Sequence, residues 1–189
     1  MLYSFKDCIS VSGGKPFESV IHIGAHLGEE AKDYYDNGVK KVLWVEANKT
    51  LMKNLYDNVK MIPLQHMFAN EVLSDEDGKQ VTFNITNNGQ SSSILPLGTH
   101  KIHHPHVHVV ETKTVTTKRF DTYYKENQVH INLFEFDFVN LANFRIENFP
   151  TRPFACRSPL QAAQHRHAQN RFVTPLVGAE LADRIGWHT

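Results

Sequence analysis

The sequence predicts an α/β fold in which a parallel sheet with crossover helices is followed by a β-rich segment. Over roughly the first 70 residues, short apolar segments alternate with segments of helical spacing, a pattern typical of parallel strands joined by helices. A glycine turn directly follows the first apolar segment, as expected where a parallel strand passes into a helix. The chain has 189 residues, of which 41% are hydrophobic, so we expect one packed domain.

The first half of the pattern contains three strands and two helices. They are predicted, in order, as strand Ser19–Ile23, helix Glu29–Asn37, strand Lys41–Val45, a helix after Asn48, and strand Met61–Phe68. Gly38 suits the position just after the first helix, where a left-handed residue is common. Asn48 can cap the second helix, in which Leu51, Leu55 and Val59 recur at helical spacing.

The remaining elements are mostly extended. An Asp77-Gly78 turn precedes an alternating segment, so a strand follows it. The later elements are a polar loop Asn87–Ser93, a strand Val107–Thr117, a helical turn Phe120–Lys125 and a strand Ile131–Phe138. Two further segments are predicted near the end, a helix from Ser158 and a short apolar run Phe172–Val177.

Composition excludes several classes of protein. Lys plus Arg and Asp plus Glu both number 20, so the formal net charge of zero gives no electrostatic reason to expect a nucleic-acid or anionic-membrane partner. The sequence contains no apolar run of membrane-spanning length and no secretory signal pattern. The two cysteines, Cys8 and Cys156, are too few for a disulfide framework, so a cytoplasmic location is expected.

The composition changes near residue 150. Residues 1–150 hold 15 basic and 18 acidic residues, whereas residues 151–189 hold five Arg, no Lys and two acidic residues. We therefore predict a main domain over 1–150 and a compositionally distinct tail over 151–189. A linker, a fusion or a change of reading frame could each produce this difference.

The segment VIHIGAHLGEE is the most informative in the chain. Gly24 and Gly28 lie between a predicted strand and helix, where glycine lets the backbone approach a ligand. Neither the three-glycine dinucleotide pattern nor the P-loop pattern is present, which favours a nucleoside without a pyrophosphate. Glu46 ends the next strand and could accept both hydroxyls of a ribose at the same sheet edge.

These segments resemble the FkbM-like family of S-adenosylmethionine-dependent methyltransferases. The resemblance rests on VIHIGAHLGEEAKDYY, KKVLWVEANKTLMKNL, LSDEDGKQVTFN, NNGQSSSIL, TVTTKRFDTYY and INLFEFD, and it covers about residues 18–137. It implies a class I methyltransferase fold, which is Rossmann-like, and methyl transfer to an oxygen of a small-molecule or glycan acceptor, often a sugar hydroxyl.

The resemblance also implies roles for individual residues. The residues expected to bind S-adenosyl-L-methionine are Gly24, Ala25, His26, Gly28, Glu46, Ala69 and Asn70. Ser91, Ser92 and Ser93 are expected to line the acceptor site, or else to form a polar turn. Asp137 and His26 are the candidates for helping to remove the acceptor proton. Asp137 could instead orient the methionine amine, or be an exposed aspartate at the end of a strand.

One departure from the family supports a second hypothesis. The family usually has a glycine and a glutamate shortly after Asp137, in a pattern like D-x-x-G-x-E, whereas Asn140 and Ala142 stand there in this chain. The alternative is therefore a truncated or inactive cofactor-binding remnant without turnover. An incomplete sheet would leave an apolar edge uncovered, and self-association is the expected consequence.

Histidines raise a third hypothesis, a metal-binding protein. The stretch HKIHHPHVHVV contains five of them, His100, His103, His104, His106 and His108. We expect no metal there, because no cysteine or aspartate joins the cluster and Pro105 interrupts a regular strand. His22, inside the first strand, is predicted to be a core histidine with its hydrogen bonds satisfied.

Overall fold

The computed structural model describes residues 5–11, 14, 17–98, 100–127, 133–136 and 154–157. The strands are β1 (Ser19–Ile23), β2 (Lys41–Val45), β3 (Gln65–Ala69), β4 (Val72–Leu73), β5 (Gln80–Thr86), β6 (Val109–Lys118), β7 (Leu133–Phe136) and β8 (Phe154–Arg157). The helices are α1 (Phe5–Val11), α2 (Ala31–Asp36), α3 (Met52–Val59), α4 (His100–His103) and α5 (Phe120–Glu126), and a 3₁₀ turn Lys49–Leu51 precedes α3. None of these described helices is long and apolar enough to cross a bilayer.

The main sheet is parallel and confirms the predicted α/β class. Its order is β3-β2-β1-β7-β8, and every neighbouring pair runs in the same direction. The chain builds outward from β1 on one side through β2 and β3, then returns to the other side of β1 with β7. This order is compatible with a Rossmann-like sheet, in which the crevice beside the first strand is the usual ligand site.

Helices pack on both faces of this sheet, and β1 and β2 are accordingly buried at nearly every position. On one face, Trp44 contacts a core that includes Tyr34 of α2 and Leu55 of α3. On the other face, Ile21 belongs to a core with Phe120 of α5. All five of these side chains are almost completely buried, so the centre of the sheet is rigid and its ends can hold side chains in fixed positions.

A second, three-stranded sheet forms the β-rich segment. Its order is β4-β6-β5, with β5 and β6 antiparallel and β4 parallel to β6 over two residues. The Asp77-Gly78 turn precedes β5 as predicted, and Gly78 has the left-handed backbone (φ 74°) that such a turn requires.

Element boundaries differ from the predicted ones in three places. Helix α2 begins at Ala31 rather than Glu29, because Glu29 and Glu30 belong to the turn before it. Strand β3 begins at Gln65 rather than Met61, since the segment around Pro63 forms bends. Strand β6 ends one residue beyond its predicted end and begins two residues after its predicted start.

Strand β8 and helix α1 were not predicted. The backbone of β8 pairs in parallel with β7, in register from Leu133 and Phe154 onward. The predicted helix from Ser158 and the apolar run Phe172–Val177 lie outside the described residues. The boundary at residue 150 therefore stays a prediction.

His22 is a core histidine, but its hydrogen bonds are only half satisfied. The Tyr34 hydroxyl lies 2.9 Å from Nδ1, and the ring packs 5.5 Å from that of Trp44. Nε2 is buried and has no hydrogen-bond partner among the described atoms. Burial lowers the pKa of His22 below its ordinary value, against a smaller opposing influence of Glu30 and Glu29. The expectation that both nitrogens are paired was therefore wrong.

Acid is expected to destabilise the fold through His22. Between its ordinary pKa of 6.5 and its lowered folded-state pKa, the unfolded chain binds a proton that the folded chain does not. The free energy of unfolding therefore has its full value at a pH above the ordinary pKa of His22. It falls as the pH drops below that pKa, by at most about 1.4 kcal/mol per pH unit for one group. Denaturant unfolding at about pH 7.5 and about pH 5.5 measures this, and His22→Phe should reduce the difference.

Tyr34→Phe is the matched control for this experiment. It removes the hydroxyl but keeps the imidazole, so it should cost about 1–2 kcal/mol and retain the pH dependence. An unchanged pH dependence in His22→Phe would assign the acid sensitivity to other groups.

Candidate functional site

The predicted cofactor residues meet at one edge of the parallel sheet. Gly24 follows β1, Glu46 follows β2 and Asn70 follows β3. The backbone ties these ends together, since Gly24 N–H donates to the Val45 carbonyl over 2.8 Å and Glu46 N–H donates to the Ala69 carbonyl over 3.0 Å. This is the carboxyl edge of the strands, where open α/β sheets bind their ligands.

The turn from Gly24 to Gly28 satisfies its own backbone donors. Its backbone is left-handed at Gly24 (φ 81°), His26 (φ 45°) and Gly28 (φ 72°). Each of its five N–H groups donates within the chain, and the acceptors are the carbonyls of Val45 and Ala25 and the carboxylates of Glu46 and Glu29. A phosphate-binding loop aims such groups at the ligand, so this turn suits a ligand without a phosphate.

Gly28 is required for packing as well as for the turn. A Cβ at Gly28 would lie 2.5 Å from Cγ1 of Val59 and 2.8 Å from Cδ1 of Leu55, both on α3. These two side chains are fully buried and have no room to retreat. The glycine therefore lets α3 approach the turn, a role that its spacing in the sequence does not reveal.

Glu46 is a buried carboxylate with two backbone donors. It is only 7% exposed. His26 N–H donates to Oε2 over 2.8 Å, and Asn48 N–H donates to Oε1 over 2.7 Å. Burial raises the pKa of Glu46 above its ordinary value, while the N–H groups of Asn48 and His26 oppose that rise. The carboxylate thus joins the glycine turn to the start of the next helical segment.

His26 forms a dyad with Glu29, since Nδ1 of His26 lies 2.8 Å from Oε1 of Glu29. Partial burial favours the neutral form of Glu29, but the hydrogen bond with His26 and other hydrogen bonds hold the pKa of that carboxyl below its usual range. A carboxylate on one imidazole nitrogen fixes the orientation of the ring, and the other nitrogen, Nε2, is then the one that can accept a proton.

The predicted adenine-binding residues complete the same edge. Ala69 is buried, and Asn70 donates from Nδ2 to the carbonyls of Glu46 (2.8 Å) and Ala47 (3.1 Å). The Asn70 side chain therefore joins the end of β3 to the backbone of the segment that follows β2, which begins with Glu46.

The polar loop after β5 lies against His26. A Cβ at Gly89, whose φ is 73°, would lie 3.3 Å from Nε2 of His26. The three predicted acceptor-site serines belong to this loop. Their hydroxyls accept hydrogen bonds from Asn88 Nδ2 (Ser91, 3.0 Å), Thr86 N–H (Ser92, 3.1 Å) and Leu95 N–H (Ser93, 2.8 Å). The serines thus shape a turn beside the candidate site, and a contact with an acceptor stays a prediction.

Two other predicted features are Asp137 and the histidine stretch. Asp137, the second candidate for removing a proton, falls outside the described residues. In the histidine stretch, the rings of His104 and His106 meet edge to face at 6.0 Å. Within the described part of the chain, no group of three or more His, Cys, Asp or Glu side chains could hold a metal ion.

Sequence reasoning missed Glu29 and Gly89. The position of Glu29 three residues after His26 was visible, but pairing across a turn depends on the left-handed backbone at His26. The contact of Gly89 with His26 joins residues 63 positions apart, and neither residue type signals it.

Comparison with known proteins assigns no family, because no family model and no curated protein matches the chain.

Proposed function

We propose that the chain is an S-adenosylmethionine-dependent methyltransferase of the FkbM type that transfers a methyl group to an oxygen acceptor such as a sugar hydroxyl. The observation that carries this proposal is a self-satisfied glycine turn after β1, hydrogen-bonded to a buried carboxylate after β2. The parallel sheet order supports it, because the turn follows the strand at which the order reverses.

The chemistry of the edge fits the nucleoside part of this cofactor. A carboxylate has about four acceptor positions, and the N–H groups of His26 and Asn48 occupy one on each oxygen of Glu46, with a further backbone hydrogen bond from Ala47. The remaining acceptor capacity suits a ribose hydroxyl. Ala69 and Asn70, on the next strand, would border the adenine.

When bound, S-adenosylmethionine supplies a methyl group on a positively charged sulfur. An acceptor oxygen can attack this methyl group in line with the bond to sulfur, and the sulfur then leaves as a neutral thioether. The protein's task is to align the acceptor and to receive its hydroxyl proton. Nε2 of His26 is the candidate proton acceptor, because the hydrogen bond between Nδ1 and Glu29 fixes the orientation of the ring. Gly89 has no side chain, which leaves room beside Nε2.

Calorimetry with the demethylated product, S-adenosylhomocysteine, tests the proposal. We expect stoichiometric binding of this ligand and much weaker binding of NAD, whose pyrophosphate finds no N–H donors in the Gly24–Gly28 turn. Absence of S-adenosylhomocysteine binding by the folded chain would refute the proposal.

A methyl-transfer assay with sugar acceptors then separates the active enzyme from the remnant. If His26 is the general base, His26→Ala should lower turnover by about 10²–10⁴-fold, and it should retain binding of S-adenosylhomocysteine. Binding without turnover on any acceptor would favour the cofactor-binding remnant.

A further inference from the structure

Among the described residues, strand β6 has an open edge along most of its length. Residues Gln80 to Ile85 of β5 pair in regular register with one side of β6 from Thr116 to Glu111, and the register then shifts so that Thr86 pairs with Val109 and Val110 is skipped. On the other side, the described strands provide only β4, which reaches Thr117 and Lys118. Residues 109–114 are all exposed, and Val110 is 57% exposed, which is unusual for an aliphatic side chain in a strand. Such an edge is a template for another strand.

The ladder fixes which backbone groups point outward at this edge. Thr117 faces β5, because its N–H donates to the Lys79 carbonyl over 2.8 Å. Backbone groups alternate in direction along a strand, so Thr112 and Thr114 face away from β5. Lys118 fits this alternation, since its carbonyl accepts the N–H of Ser74 on the β4 side. Thr112 therefore presents both its N–H and its carbonyl to the open edge.

The sequence of this edge is self-complementary when it is paired antiparallel about Thr112. Residues 109–115 read VVETKTV. A twofold axis at Thr112 sets Glu111 opposite Lys113 of a second copy, both within the regular part of the β5–β6 ladder, and brings Val110, at the irregularity, towards Thr114. Opposite charges and β-branched pairs are the favourable cross-strand combinations. The same axis makes Thr112 a hydrogen-bonded pair, as its outward backbone requires.

Neighbouring registers lack this match. The outward backbone groups of even-numbered residues must pair with each other, which places the axis on a residue and not between two residues. An axis at Glu111 or at Lys113 would set two like charges opposite each other, and an axis at Thr114 would set Glu111 opposite Thr117 and Lys113 opposite Val115. An axis at Val110 would set Glu111 opposite Val109. Only the axis at Thr112 gives Glu111 and Lys113 oppositely charged partners.

Charge gives this edge selectivity for its own copy. Within one chain, Lys113 Nζ lies 3.2 Å from Oε1 of Glu111. Paired about Thr112, the two copies would form a cluster of two carboxylates and two ammonium groups in which each charge has opposite neighbours. Exposed charges on a strand edge discourage unrelated strands, and here they favour an identical one.

We propose that two copies of this chain associate through antiparallel pairing of β6 with β6, with a twofold axis at Thr112. The contact is isologous, so each copy offers the same edge, and association stops at two. The pairing would cover Val110, which is otherwise exposed to water. The occupant of this edge is thus a second copy, and the interaction is independent of the methyltransferase proposal.

Sedimentation of the full chain and its charge-reversed variants tests this pairing. The unmodified chain should dimerise. Glu111→Lys alone and Lys113→Glu alone should each be monomeric, because each places four like charges together. The double variant Glu111→Lys/Lys113→Glu should dimerise again, and a mixture of the two single variants should form a heterodimer. Glu18→Lys and Lys32→Glu, which make the same charge changes at exposed sites elsewhere, should remain dimeric.

Three results would overturn the proposal. A monomeric unmodified chain at every concentration is the first, and dimers that persist in both single variants are the second. The third is a mixture of the single variants in which no heterodimer forms although both are folded by circular dichroism. Each single variant alters exposed side chains only, so loss of folding and loss of pairing are distinguished by that measurement.

Discussion

Glu46→Gln is expected to weaken binding of S-adenosylhomocysteine by tenfold or more and to destabilise the folded chain by about 1–3 kcal/mol. The amide retains one acceptor oxygen, so one of the two buried N–H groups, from His26 or Asn48, faces an NH₂ group instead. A buried donor without an acceptor costs about 1–3 kcal/mol, and a charged hydrogen bond to a ligand is worth about 1.5–3 kcal/mol. The latter corresponds to roughly a tenfold or greater change in affinity.

Calorimetry and denaturant unfolding separate the two effects of this substitution. The control is a dideoxy form of the same ligand, which lacks both ribose hydroxyls. It should bind the unmodified chain weakly, and Glu46→Gln should change its affinity little. Unchanged binding of S-adenosylhomocysteine by a destabilised Glu46→Gln chain would make Glu46 a structural residue and remove it from the ligand site.

Gly28→Ala is expected to lower the free energy of unfolding by about 2–5 kcal/mol. The left-handed backbone at Gly28 contributes about 1–2 kcal/mol for a residue with a Cβ. The remainder, about 1–3 kcal/mol, comes from the overlap of that Cβ with Val59 and Leu55. Because α3 would have to move away from the turn, Glu46 should lose its alignment as well.

Gly78→Ala is the matched control for this prediction. Its φ of 74° is nearly the same as that of Gly28, but a Cβ at Gly78 would meet nothing within 4 Å. Denaturant unfolding of both variants should therefore show the smaller loss, about 1–2 kcal/mol, for Gly78→Ala. Equal losses of unfolding free energy in the two variants would mean that the packing of α3 against Gly28 does not exclude a Cβ there.

The parallel sheet could be predicted because its signals are local. Ser19–Ile23 and Lys41–Val45 are short segments rich in branched apolar residues, and both strands have those bounds in the structure. The cap at Asn48 was equally readable, since its side chain accepts the Thr50 N–H as an N-cap should. Strand β8 was not predicted, because four residues of mixed polarity carry no periodic signal and their pairing with β7 is a long-range event.

The sequence could predict only those residues of the candidate site that directly follow a strand of the parallel sheet. Residues that follow parallel strands share one edge, so the proximity of Gly24, Glu46 and Asn70 was foreseeable. The approach of Gly89 to His26 depends on how the loop that follows β5 packs against that edge, and the two residues are far apart in the sequence. The unpaired Nε2 of His22 was likewise unreadable, because burial of a polar atom depends on its neighbours rather than on its own type.

The position of β7 beside β1 has a consequence for the order of folding. Paired positions of β1 and β2 are 22 residues apart, as Ser19 and Lys41 show, whereas Val20 and Leu133 of the β1–β7 pair are 113 apart. Closing the longer loop costs about 1.5 kcal/mol more in chain entropy, so the first three strands have the advantage in forming early. Gly24, Glu46 and Asn70 all belong to that early unit. During synthesis from the N-terminus, the edge proposed to bind a nucleoside could therefore assemble before the ribosome has made the strand that completes the middle of the sheet.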